Sequence, residues 1–353
     1  MRFSFQRITT RSLIFLSRNT RLFLYLFLGL ILYFSARSAF SLLQKINIKP
    51  IDLLAFFGQG SQNIEKTNDY THFLLLGTRG EGVDSPNLSD SIIVFSYYHP
   101  QNQVTITSLP RDLWVPSLQA KINTAYHYGE IASSGAGIAL AQASVLETTG
   151  IPINYTAVVN FTLFKKLIDL VGGVDVFLVK GFTDPQFPIF GQENALPESS
   201  RYESITFSAG NLHLDGDTAL KFVRSRHSEG EEGTDFARSQ RQQLLLASLR
   251  QKILTAEFLL NKNKVNSLLD LVSQNTKTNI QSSLYPYLVR LALNSYQNPF
   301  RTISLAITPD SNGVSILYHP NTNKYKGEWV LMPKDDNWSA LKKYIESHLT
   351  STI

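Results

Sequence analysis

The chain has no cysteine among its 353 residues. Disulfides and thiolate metal sites are therefore excluded, while the redox compartment stays open. Three catalytic signatures are missing as well. No glycine-rich loop ends in Lys-Ser or Lys-Thr, no Gly-x-Ser-x-Gly elbow occurs, and there is no His-Glu-x-x-His helix. Their absence removes phosphate-loop nucleotide chemistry, the serine-hydrolase turn and the zinc-peptidase helix from consideration. The seven histidines are scattered without metal-ligand spacing, and no internal repeat is present. Acidic residues are absent before Leu22, where Arg2, Arg7, Arg11, Arg18 and Arg21 stand. The net charge of +5 thus reflects this tail more than a nucleic-acid-binding surface.

From Leu22 to Phe34 every residue is apolar, Tyr or Gly, and small or apolar residues continue to Phe40, broken by Ser35, Arg37 and Ser38. The uninterrupted run is shorter than the roughly 20 residues a spanning helix prefers, and snorkelling by Arg21 and Arg37 extends it. A cleaved signal peptide is the competing reading, because SARSA offers small residues to a peptidase. The long basic segment and the unbroken helix favour an uncleaved anchor. The expected organisation is a basic cytoplasmic tail at 1–21, a transmembrane anchor at 22–40, a stalk at 41–70 and one domain at 71–353. Arginines on the N-terminal side place the tail in the cytoplasm and the domain outside the cell membrane.

Within that domain FLLLG reads as a short buried strand, and SIIVFSYYH and QVTITSL as a hairpin. A small-residue helix follows across 135–149, then the strand YTAVVNF, the helix FKKLIDL and, after Gly172-Gly173, the strand VDVFLV. Residues 181–201 hold several Pro and Gly and read as a long functional loop. Three further helical patterns, a strand-rich tail and the amphipathic helix NWSALKKYIESHL complete the chain. This order implies a three-layer α/β/α domain with a mixed central sheet, and it leaves the strand order open.

The richest stretch runs from Leu212 to Gln243 and reads LHLDGDTALKFVRSRHSEGEEGTDFARSQRQQ. Arg224 and Arg226 alternate, so an extended segment would send both guanidinium groups from one face. Thr234 or Asp235 caps a new helix, on which Arg238, Arg241 and Gln242 share a side. Two readings stand: salt bridges to Glu229, Glu231, Glu232 and Asp235, or a converging set of forked donors for phosphate oxygens.

The same stretch resembles the signature of the LytR-CpsA-Psr family, membrane-anchored phosphotransferases that attach glycopolymers to bacterial cell walls. The family pattern is a leucine-glycine turn, a YVRSR-like strand, a GDFGR-like helix start and RQQ. The match extends to SLPRDLWV, KINTAYHYG and LVGGVDVFL, covering residues 72 to about 250 in the expected order. The resemblance implies transfer of a phosphoglycosyl group from a polyprenyl-pyrophosphate-linked glycan to peptidoglycan or another wall acceptor. It implies that Arg111, Arg224, Arg226 and Arg238 clamp the two phosphates, with Gln242 as a neutral donor. Lys121, Asn123 and Arg241 would add substrate contacts. It also implies Mg²⁺ on Asp90, with Asp84 or Asp235. One departure stands out: where the family carries an aspartate after its first strand, this chain has Thr78 and Arg79, and Asp84 is the nearest substitute. His227, beside Arg226, could touch a phosphate, but an exposed loop histidine is the favoured reading. An extracytoplasmic domain argues against nucleic acid as partner. Hydrolysis of the same lipid carrier and non-catalytic wall or lipid binding remain the alternative functions.

Overall fold

The computed structural model describes residues 64–80, 85–192, 194–305 and 315–350. The chain divides into two units, Met1–Gly58 and Gln59–Ile353, and all described residues fall in the second. The expected tail and anchor, and all of the stalk before Ile64, lie outside the described residues. Among those described, no helix is long and apolar enough to cross a membrane.

A six-stranded mixed sheet forms the centre. Its strands are β1 (Tyr70–Thr78), β2 (Ser89–Tyr98), β3 (Gln103–Leu109), β4 (Tyr155–Asn160), β9 (Lys277–Thr278) and β10 (Arg301–Ser304), in the order β9-β4-β1-β2-β3-β10. The β1-β2-β3 meander is antiparallel, as short polar turns allow, whereas β4 lies parallel to β1 and β10 parallel to β3. Parallel neighbours need crossovers. Helices α1 (Ala125–Ala132) and α2 (Gly137–Thr149) fill the connection to β4.

Both faces of the sheet are buried, which explains the apolar run Ile92–Phe95 of β2, while β3 alternates and buries Thr105 and Thr107 on its second face. Leu74, Leu76, Ile92 and Val94 pack on one side with Ala141 and Val145 of α2 and with Leu341 and Ile345 of α8 (Trp338–Thr350). Ile93, Tyr97, Val104 and Ile106 pack on the other, against Tyr287 and Leu291 of α7 (Tyr285–Asn294).

A second core sits beside this sheet. It joins α3 (Phe161–Leu170), the antiparallel pair β5 (Val174–Leu178) and β8 (Gly210–Leu214), the pair β6 (Phe182–Pro188) and β7 (Tyr202–Phe207), α4 (Gly216–Arg224) and the long α5 (Asp235–Ile253). Helix α6 (Lys262–Asn275) leans on it through Val265 and Leu268.

Two expectations are corrected here. Residues 182–188 and 202–207 form a two-stranded ribbon, so the segment from 181 to 201 is not one long loop. Pro185 and Pro188 are tolerated because both strands of a ribbon are edges. Arg224 does not stand on a strand. It ends α4, whose start is capped by Asp215 accepting from the Thr218 N–H at 2.8 Å, and whose Ala219, Phe222 and Val223 form the buried face.

Candidate functional site

The end of β3 and the start of α5 meet over a cavity of about 650 Å³. Asp90 and Ser91 enter it from β2, Ser108 and Arg111 from the end of β3 and the turn beyond. Arg226 and His227 come from the chain leaving α4, and Phe236, Arg238, Ser239 and Gln242 from the first two turns of α5. Trp329 and Leu331 close it from the C-terminal region.

Helix α5 begins where it does because the Thr234 hydroxyl accepts from the Ala237 N–H at 3.2 Å. Just before it, Gly233 fits a tight closure in which an added Cβ would collide with the Ser228 carbonyl oxygen. The helix is 19 residues long, and its opening turn lines the cavity. The positive end of its dipole therefore adds to the lining charges. Gln242 donates to Ser91 Oγ at 3.0 Å, fixing the helix against β2.

Asp90 is the one carboxylate lining the cavity among the described residues. Its two oxygens are both engaged, by Arg111 Nη1 at 2.8 Å and Arg79 Nε at 2.9 Å. Burial pushes the Asp90 carboxyl up. The charges and hydrogen bonds of Arg79 and Arg111 outweigh that, and it is held below the usual carboxylate range. Arg111 also reaches Asp112 at 3.4 Å, a buried carboxylate that pairs with Lys121 at 3.3 Å. Arginine charge thus dominates the cavity lining, a chemistry suited to anions.

The residues expected from the sequence fall into two groups. Asp90, Arg111, Arg226, Arg238 and Gln242 meet in the cavity. Arg224, Lys121, Asn123 and Arg241 are not in its lining. Arg224 lays its guanidinium over the Phe161 ring, 4.5 Å from the centroid. Lys121 pairs with Asp112 and Glu328, and the buried Asn123 donates its N–H to the Arg111 carbonyl at 3.2 Å, so both brace the Arg111 turn. They sit in a two-residue strand and a 3₁₀ turn rather than in one extended segment.

Arg241 is the clearest departure, because it points away from Arg238. It is 3% exposed and donates to the carbonyls of Phe222 at 3.1 Å, Ser225 at 2.7 Å and Glu232 at 3.0 Å, and to the Glu232 carboxylate at 3.1 Å. What draws it off the cavity is the end of α4, whose carbonyls at Phe222 and Ser225 it gathers. Asp84 lies outside the described residues, and Asp235 opens α5.

Arg79, His227 and Asp184 were not among the expected site residues. Arg79 stands on Asp90 because β1 and β2 pair antiparallel, and its signal was the mismatch with the family pattern. His227 lines the cavity although its position suggested a solvent-facing loop. Asp184, wholly buried, holds the backbone beside Arg226. Its type and position carried no sequence signal.

The family model of LytR_cpsA_psr matches residues 44–344. The chain belongs to the LytR_cpsA_psr family. Among its relatives, the polyisoprenyl-teichoic acid–peptidoglycan teichoic acid transferase TagU of Bacillus cereus is 32% identical over 211 residues, 59% of this chain and 59% of its own length. TagV of Bacillus subtilis, named for the same transfer, is 28% identical over 270 residues, 75% of this chain and 60% of its own. The chain thus spans about 59% of the length of the first of these relatives. The crystal structure of B. subtilis TagV superposes with a TM-score of 0.56 at 24% identity, covering 82% of this chain and all of that one. This likeness identifies the fold as the family's mixed α/β fold.

Of the carboxylates that the resemblance assigns to magnesium, Asp84 and the side chain of Asp235 lie outside the described residues. Among the described residues no group of three or more His, Asp or Glu side chains is placed to hold a metal, and both oxygens of Asp90 already carry guanidinium groups. No step below is routed through an ion.

Proposed function

We propose that this chain is a membrane-anchored phosphotransferase that moves a phosphoglycosyl polymer from a polyprenyl-pyrophosphate carrier to a cell-wall sugar hydroxyl. One observation carries the reading: Arg111, Arg226 and Arg238 share one cavity with the opening turn of a 19-residue helix, around the Asp90 carboxylate, which is already matched by arginines. Family membership and the teichoic acid transferase names of TagU and TagV support it.

In this reaction the acceptor oxygen attacks the phosphorus that carries the glycan. The bond from that phosphorus to the bridging oxygen breaks, polyprenyl phosphate leaves, and the hydroxyl proton is lost. Arg111, Arg226 and Arg238 bind the phosphate oxygens and neutralise charge building on the leaving phosphate. Asp90 aims Arg111. Gln242 offers a neutral amide beside Ser91. The exposed rings of Phe236 and Trp329 give the cavity flat apolar faces suited to a sugar ring or the first prenyl unit.

The proposal includes the anchor at 22–40 and an extracytoplasmic domain, so that the cavity works on a lipid held in the same membrane. The test is product analysis. The full chain in detergent is given a polyprenyl-pyrophosphate-linked glycan and peptidoglycan, and glycan phosphate bound to the wall is measured with released polyprenyl phosphate. Both should rise together. Release without transfer would identify a pyrophosphatase, and neither product would leave a binding protein.

A further inference from the structure

We infer that Asp184 is a positioning residue that sets Arg226 and His227 on the cavity wall before any anion arrives; the inference rests on the reading of that cavity as a pyrophosphate site. After α4 ends at Arg224, residues 225–228 adopt no regular structure, although they carry two side chains of the site. Such a segment must be held from outside, because any ordering left to the substrate is subtracted from its affinity.

Asp184 does the holding. It sits on β6 between exposed Thr183 and Pro185, with its carboxylate turned fully inward. One oxygen accepts from Ser225 Oγ at 2.7 Å, from the Arg226 N–H at 2.9 Å and from the His227 N–H at 3.2 Å. The other accepts from the Gln186 N–H at 3.1 Å and lies 3.8 Å from His227 Nδ1. On the opposite side of the same turn, Arg241 takes the carbonyls of Phe222 and Ser225.

A buried anion therefore gathers the N–H groups of the segment and a buried cation gathers its carbonyls. The rotation of the backbone at residue 226 is fixed from both sides, and with it the direction of the Arg226 side chain. Burial pushes the Asp184 carboxyl up, but the bonds from Ser225, Arg226, His227 and Gln186 more than offset this and hold it low. The network favours the ionised form and is complete without a ligand. Asp184 touches no substrate in this scheme. Its effect passes through Arg226.

The experiment measures binding of farnesyl pyrophosphate to the full chain in detergent by calorimetry. The parent is compared with Asp184→Asn, Ser225→Ala, Arg226→Ala and the double variant Asp184→Asn/Arg226→Ala. Asparagine keeps one acceptor oxygen and turns an N–H₂ toward main-chain N–H groups, so affinity should fall about tenfold. Ser225→Ala removes one bond and spares the fold, and should cost about threefold. With Arg226 already gone, Asp184→Asn should add no more than about twofold, because residues acting through one another are not additive.

Amide exchange read by mass spectrometry supplies a signature that a general loss of stability would not give. In Asp184→Asn the amides of Arg226 and His227 should lose protection while those of Asp235–Ile253 keep theirs. Losses that multiply in the double variant would overturn the positioning role, as would parental affinity in Asp184→Asn. Should Asp184→Asn fail to fold, parental affinity in Ser225→Ala would overturn it alone. A parent that binds no farnesyl pyrophosphate would overturn the pyrophosphate reading together with this inference, a result distinct from all the others.

Discussion

Two arginines on opposite sides of one turn, Arg241 of α5 and Arg226 of the segment leaving α4, should respond in opposite ways to the same substitution. Arg241→Lys keeps the charge and removes the fork that serves Phe222, Ser225 and Glu232. An ammonium on a flexible stem can keep one of those four bonds and leaves the others unmade in a buried place. At about 1 kcal/mol net for each lost bond, the fold should weaken by about 3 kcal/mol. For a domain of this size that lowers the melting temperature by about 8 °C. Arg226→Lys, on the cavity wall, should melt within about 2 °C of the parent and lose at least about tenfold in affinity for farnesyl pyrophosphate. The assays are thermal melting by far-ultraviolet circular dichroism and calorimetric titration, each on the full chain in detergent. Added farnesyl pyrophosphate should raise the parent's melting temperature more than that of Arg226→Lys. An Arg226→Lys protein that unfolds early yet binds normally when folded would show that Arg226 is a salt-bridge partner, and the anion-site reasoning would fail.

Asp90→Asn should cost about 2 kcal/mol, since two part-buried pairs at 2.8 and 2.9 Å are weakened together, and turnover should be lost with the aim of Arg111; parental turnover would refute this. Farnesyl pyrophosphate should still bind in EDTA, because fixed guanidinium groups supply the positive charge; binding that vanishes and returns with Mg²⁺ would show that the anion requires an ion. Asp90 and Asp184 both have folded carboxyls held below their unfolded values, so they contribute stability that is full above the ordinary carboxylate range. That contribution is lost as pH falls below about 4, and Asp184→Asn should flatten the acid limb of a stability-against-pH curve. Protease added to intact spheroplasts should degrade the domain, and full protection would contradict the proposed topology.

The regular framework was legible because its patterns are local. The β2–β3 hairpin, α2 and α8 follow from alternation and periodicity, and the end of β3 with the start of α5 follows from the family signature. What failed depended on partners distant in sequence. KFVRSR shows an alternating pair of arginines, yet Ala219, Phe222 and Val223 carry helical spacing behind an Asp215 cap, and packing chose the helix. Arg238 and Arg241 look equivalent on a helical wheel, and only the position of α4 separates a cavity residue from a buried brace. Arg79 was visible as an oddity. Its contact with Asp90 required the register of β1 on β2. Asp184 lay in a stretch whose prolines hid a strand.

The cavity wall is also discontinuous along the chain. It draws on Asp90 near the front and on Trp329 and Leu331 near the end. Leu331 is tied to the Arg111 turn on both sides, donating to the Asp112 carbonyl at 2.9 Å and accepting from the Trp114 N–H at 3.0 Å. The anion site therefore cannot mature in stages as the polypeptide is made. A chain halted before Leu331 has its arginines but lacks the strap that seats Arg111, and a single nick between residues 305 and 329 followed by loss of the tail would have the same effect. Until its last strap is in place, a newly made chain should have an incomplete cavity wall around Arg111.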